Sequence, residues 1–191
     1  MGKEIRGLHE AAYLLAFFAV MSQILGLVRD KLLAYNFGAG HTLDIYYSAF
    51  RIPDLIFVSI ASIVSASVLV PFFIDRFHTD ADKGRKFIDS VFSAFFLVII
   101  LTSIVAYFLI PWLVQILIPG FVNDPSLPEL ISATRILLLS PIFLGLSSFL
   151  SSITQMHRRF LVYALSPVVY NAGIIIGIIF LYPTLGLQGL I

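Results

Sequence analysis

The sequence contains no cysteine, which excludes disulfides and thiolate metal sites outright. Charge is scarce as well. Only 12% of the 191 residues are Asp, Glu, Lys or Arg, against about 25% in an ordinary soluble domain. The net charge of +1 makes no case for nucleic acid as a partner. Catalytic spacings are missing: no His/Asp/Glu pattern makes a metal site, no glycine loop opens a helix in phosphate-loop style, and no Ser-His-Asp set is visible. His9, His41, His78 and His157 are scattered at the edges of apolar runs. Neither enzymatic activity nor a cofactor is expected.

What fills the chain instead is hydrocarbon. Hydrophobic residues make up 59% of it, eighteen of them Phe, and the mean hydropathy is +0.99. A soluble core of this size could not hide them. A spanning helix needs about 20 mostly apolar residues, and on that measure helices are expected near 10–36, 43–73, 87–118, 128–156 and 160–182, with a sixth starting at 186–191. The expected fold is all-α, a polytopic transmembrane helix bundle forming one membrane domain over 1–191. Lys3 and Arg6 precede the first apolar run as they would in a signal peptide, but the run is too long and lacks a small-x-small cleavage site, so a retained first helix is predicted. The chain stops at Ile191 without a polar tail, which reads as a truncation.

Punctuation follows the same logic. Asp75–Asp89 is expected to be a polar loop and Pro119–Pro128 a second one. Pro111 beside Trp112 suits a helix exit at the membrane interface. Pro53 deletes a backbone hydrogen bond within the second helix and should bend it. Gly26, Pro53, Pro141 and Gly145 are the positions expected to allow bending. Lys3, Arg6, Arg76, Lys83, Arg85, Lys86, Arg158 and Arg159 fall on one side if the helices alternate. The positive-inside tendency then places the N-terminus in the cytoplasm. Arg29, Lys31, Arg51 and Arg135 run against that trend.

The most informative stretch is Ser22–Asp54, SQILGLVRDKLLAYNFGAGHTLDIYYSAFRIPD, which plants charges between two long uncharged runs. Hydrocarbon solvates no ion, so each such charge needs water, a partner or a substrate. Ser22, Gly26 and Arg29 share one stripe of the first helix, with Asp30 on its flank. Asp44, Arg51 and Asp54 share a stripe of the second, where Arg51 and Asp54 are three apart and can pair. One reading is a hydrated cavity whose arginines hold an anion, since the planar guanidinium donates two parallel bonds to phosphate. The other is an interfacial cap whose long side chains reach the headgroups. Asn171, polar amid PVVYNAGIIIG, suits either an interhelical hydrogen bond or a cavity wall.

These residues also carry a resemblance. Leu-Gly-x-x-Arg-Asp at Leu25–Asp30, Phe-Gly-Ala-Gly at Phe37–Gly40, Asp44 followed by Ala-Phe-Arg-x-Pro-Asp at Ala49–Asp54, and Ser-Pro-x-x-x-Asn at Ser166–Asn171 together resemble the N-terminal portion of the MurJ/MviN lipid II flippases. That family lies in the larger group that includes MATE exporters and polysaccharide flippases. The resemblance implies most of one lobe of a two-lobed transporter of the bacterial cytoplasmic membrane, serving peptidoglycan synthesis. It implies that Arg29 and Asp30 match cavity positions that bind the diphosphate-linked substrate, that Ser22 and Asp44 match other functional cavity positions, and that Asn171 joins them; Arg51 is a further cavity candidate. Many relatives carry Arg where this chain has Gln23, and some a basic residue where it has Phe57. The partners implied are lipid II and membrane lipids, with a coupling ion left open. The alternatives are export of another polyprenyl-diphosphate saccharide or of cationic drugs, or a non-transporting membrane scaffold.

Overall fold

The computed structural model describes residues 8–38, 40–64, 81–156 and 160–191. Among these there is no strand. The helices are α1 (Leu8–Phe37), α2 (His41–Val64), α3 (Ala81–Leu117), α4 (Leu127–Leu137), α5 (Ser140–Met156) and α6 (Phe160–Ile176), followed by a wide π-type turn at Gly177–Leu181 and the short helices α7 (Tyr182–Leu185) and α8 (Leu187–Leu190). Among the described residues, four stretches are long and apolar enough to cross a membrane: Ala12–Phe37, Asp89–Leu117, Leu127–Ser151 and Phe160–Leu185. Their outer faces expose Tyr13, Phe17 and Leu27 on α1 and Leu101, Ile104 and Phe108 on α3. Water would not tolerate so much contiguous apolar surface, whereas acyl chains do. The described part of α2, with Asp44, Arg51 and Asp54, is not among the four.

Local chemistry accounts for the helix ends. Gly38 closes α1 at φ +59°, donating its N–H to the Ala34 carbonyl at 2.9 Å, a backbone setting that favours a residue without Cβ. The Gly40 carbonyl then accepts from Leu43 at 3.0 Å and Asp44 at 3.3 Å as α2 begins. Between α3 and α4, Pro119–Phe121 forms a 3-10 turn, and the Asp124 carboxylate accepts from both the backbone N–H (2.8 Å) and the hydroxyl (2.7 Å) of Ser126. That Asx turn leads the chain into α4.

Three expectations are corrected. The expected loop at 75–89 is helical from Ala81 onward, because Ala81, Lys83, Arg85 and Lys86 are good helix formers and polarity alone does not end a helix. Pro111 is not an exit: α3 continues through it to Leu117. The expected single helix over 128–156 is two, divided at Leu138 and Leu139, and Pro141 stands in the first turn of α5, where its missing N–H costs least. The expected segments 65–73, 75–80 and 157–159 lie outside the described residues.

The chain divides into two compact units, one from 1–47 with 147–191 and one from 48–146. In the first, α1 lies along α6, and the Phe37 ring meets that of Tyr182 edge-on at 4.5 Å. In the second, Ile60, Phe95 and Ile99 form a buried cluster with Phe57 and Ile142 against it. Pro53 and Pro141 are fully buried in this unit. Gly145, expected to bend, is also buried here. A Cβ at that position would sit 2.8 Å from Cε1 of Phe95 and 3.3 Å from Cδ1 of Ile99. The glycine admits an aromatic ring where a side chain would not fit. Gly145→Ala should therefore lower stability by about 1–3 kcal/mol through overpacking, with partial recovery in Gly145→Ala/Phe95→Leu. Thermal unfolding in detergent checks this, and an unchanged midpoint for the single variant contradicts the packing.

Candidate functional site: an arginine held between two helices

The stripe of Ser22, Gly26 and Arg29 on α1 faces α6, and one residue of α6 receives it. Asn171 is only 8% exposed. Its Nδ2 donates to Ser22 Oγ at 3.1 Å and lies 3.3 Å from the Ser22 carbonyl; along its own helix it reaches the Pro167 carbonyl at 3.1 Å. All three partners are acceptors, so the amide is oriented: nitrogen towards Ser22, oxygen away from it. Oδ1 then accepts from Arg29 Nη1 at 2.9 Å. Gly26 lies between, and a Cβ there would stand 3.9 Å from Asn171 Oδ1, an ordinary contact.

Arg29 is tied on its other edge to Asp30. Nε and Nη2 approach the same carboxylate oxygen, Oδ1, at 3.0 and 2.9 Å. This is not the parallel two-oxygen fork of the strongest Arg–carboxylate pairs. Three of the guanidinium's five N–H donors are engaged, and Oδ2 of Asp30 has no bond among the described residues. The Arg29 side chain is 27% exposed and that of Asp30 55%. The cation is thus turned inward and about three-quarters covered, while its counter-ion is more than half exposed. An isolated ion in a membrane segment is costly, and this pairing is what makes an arginine tolerable there.

The other candidates stand apart from this cluster. Asp44 is exposed in the first turn of α2, where a carboxylate complements the positive end of the helix dipole. Arg51 and Asp54 are both exposed and make no ion pair among the described residues, so the pairing their spacing allows is not formed. Arg51 belongs to the second unit. Among the described residues no three His, Cys, Asp or Glu side chains gather as a metal site would require.

One contact escaped the sequence. In the second unit, Arg135 on α4 donates through Nε to the Tyr107 carbonyl at 3.3 Å and holds its guanidinium 4.8 Å from the centre of the Tyr107 ring. Pro111, four residues on, has no N–H to give that carbonyl. A proline inside α3 thus leaves an acceptor free, and Arg135 takes it. The signal was present in Pro111, but only if α3 is known to continue past it.

Fold and site define a multi-pass helical membrane protein with a cation held between two of its helices. The family model described as lipid II flippase MurJ matches residues 33–191. This chain belongs to that family. It is 26% identical over 170 residues to the lipid II flippase MurJ of Burkholderia cenocepacia, a match covering 88% of this chain and 33% of that protein. It is 32% identical over 166 residues to the probable lipid II flippase MurJ of Buchnera aphidicola subsp. Acyrthosiphon pisum (84% and 32%) and 29% identical over 171 residues to the lipid II flippase MurJ of Thermosipho africanus (87% and 34%). The chain therefore spans about one third of the length of these relatives. No solved structure matches it significantly.

The Ser22–Asn171 bond should be worth about 0.5–1.5 kcal/mol of coupling between α1 and α6, in the range of interhelical hydrogen bonds in membranes. A double-mutant cycle of Ser22→Ala and Asn171→Ala, read by unfolding in mixed micelles, measures it. Additive losses contradict the bond.

Proposed function

We propose that this chain is the N-terminal part of a lipid II flippase that moves the precursor from the cytoplasmic to the outer leaflet by alternating access. Lipid II joins a sugar–peptide head to a polyprenyl tail through a diphosphate. Carrying that head through hydrocarbon is prohibitive, so it needs a polar, cationic shelter while the tail stays in lipid. Rocking of two lobes about such a site would exchange its exposure. The family supports the cargo, and the observation that carries the residue assignment is Arg29, turned inward and held by only one oxygen of Asp30 and by Asn171. In this reading the two unused N–H donors of Arg29 meet a phosphate oxygen. Asp30 competes for the same guanidinium, which keeps the substrate from being trapped. Asn171, anchored to Ser22, aims Arg29. Asp44 and Arg51 are further substrate-contacting candidates in this reading, and Gly26, Pro53, Pro141 and Gly145 are the candidate bending positions. The N-terminus is cytoplasmic, as the Lys/Arg distribution indicates. With Gln23 and Phe57 in place of cations, more of the diphosphate's charge falls to Arg29.

Arg29→Ala in the complete protein should lower outward exposure of lipid II by at least tenfold, the size of one lost charge-assisted contact of about 1.4 kcal/mol or more; Arg29→Lys should retain part. Wild-type translocation at normal protein levels would remove the role. Access can be tested separately because the chain has no cysteine. A cysteine at Asp30 should react with a membrane-impermeant maleimide, and one at the exposed, apolar Ile24 should not. Equal labelling of both would contradict a wet face at Arg29.

A further inference from the structure

Arg135 stands between two grooves of the second unit. One, of about 420 Å³, is walled by Ile104, Phe108 and Leu139 among others, and the other, of about 290 Å³, is bounded by Pro128 and Ser132. Depth decides what can fill them. Ser103, on the wall of the larger groove, is the central residue of the span Asp89–Leu117. Arg135 lies four positions from the centre of Leu127–Ser151, about 6 Å by helical rise, where about 15 Å of hydrocarbon separates the midplane from either surface. A free arginine would snorkel from there to the headgroups. This one is held down, with Nε on the Tyr107 carbonyl at 3.3 Å and the guanidinium 4.8 Å from the centre of the Tyr107 ring. Its two Nη groups have no acceptor among the described residues. Ser103 is 5% exposed, and its Oγ has no hydrogen-bond partner either. Acyl chains satisfy neither group, and a lipid phosphate does not sit at that depth.

We infer that this face docks one transmembrane helix of a partner membrane protein, apolar along its contact stripe and carrying a single Asp or Glu that pairs with Arg135. Charge complementarity singles out this occupant. A carboxylate borne on a helix can stand at the depth of Arg135, where its two oxygens match the two free Nη groups, and a fixed cation in hydrocarbon calls for such a partner. No carboxylate lines either groove. Within the four spans the carboxylates are Asp30, which Arg29 occupies, and Asp89 and Glu129 at the span ends. A second copy of this chain therefore brings no free one to that depth in these spans. Phe108 and Phe143, 73% and 66% exposed, stand near Arg135 in sequence on either side of the groove, and aromatic side chains with arginine make up the centres of protein interfaces. A small residue one turn along the docked helix lets its backbone come close enough to accept from the Ser103 hydroxyl. The surface uses none of the residues proposed to handle lipid II, so docking and translocation can fail separately.

A benzophenone amino acid in place of Phe108 in the complete protein, irradiated in native membranes, tests the assignment. The expected result is one cross-linked partner protein, joined within an apolar span and within about two helical turns of an Asp or Glu. Arg135→Met should lower the yield about tenfold, Arg135→Lys should keep most of it, and Ser103→Ala should lower it about threefold. Replacing the partner's carboxylate by its amide should match Arg135→Met, with no further loss when the two changes are combined. Adducts confined to lipid, to a second copy or to another span of the same polypeptide would overturn the docking. So would a partner span without a carboxylate, or an unchanged yield in Arg135→Met. A cysteine at Ile104 that reacts with a membrane-impermeant maleimide would place water rather than a helix at this face, and would overturn it too. If Arg135→Met does not accumulate, the amide variant of the partner against the wild-type chain gives the same reading.

Discussion

An arginine within a membrane helix persists only if something in the protein meets its charge, and here the meeting is between α1 and α6. Asp30 supplies the counter-charge from the next residue, and Asn171 supplies a neutral oxygen from 142 positions away in sequence. The asparagine is itself immobilised, because its nitrogen is surrounded by Ser22 and the Pro167 carbonyl. Reversing the amide would set donor against donor at Arg29 and acceptor against acceptor at Ser22. The helix pair, the amide orientation and the direction of the guanidinium therefore depend on one another. Removing Ser22 or Arg29 leaves the buried Asn171 amide with fewer of its partners, at the cost of an unsatisfied polar group.

The prolines show the same constraint on the backbone. Each one inside a helix deletes a donor and leaves a carbonyl to be satisfied, and in hydrocarbon water does not repair the gap. At Pro111 the repair is a cation from the neighbouring helix, which fixes Arg135 over Tyr107. At Pro141 the helix yields instead and divides into α4 and α5. The Asn171 side chain draws on the Pro167 carbonyl one turn away. Backbone defects and polar side chains are thus handled together at Pro111 and Pro167.

In the function proposed for this member of the lipid II flippase MurJ family, these contacts have a task. A diphosphate passing through a membrane needs cations that are held firmly enough to survive burial and loosely enough to change partners. Arg29 meets both conditions in its geometry: it is paired with an open, half-exposed carboxylate through one oxygen only. Arg135, held by the Tyr107 carbonyl and ring, likewise keeps its two Nη groups without an acceptor among the described residues.

The membrane class and the helical character could both be read without coordinates, because hydropathy and charge act residue by residue along the chain. The glycine that closes α1 was legible for the same reason, since the backbone conformation that Gly38 adopts is local. What periodicity could not reveal was the outcome of competition between distant groups. The spacing of Arg51 and Asp54 permits an ion pair that does not form among the described residues, and Pro111 looks like a helix end yet lies inside one. Asn171 could have been a cavity wall or a bond between helices until its partners were known. Composition along the chain determined that this protein lives in lipid and where its charges stand; only tertiary packing decided which groups satisfy them, because a hydrogen bond between residues 29 and 171 depends on which helices become neighbours, and no local pattern encodes that.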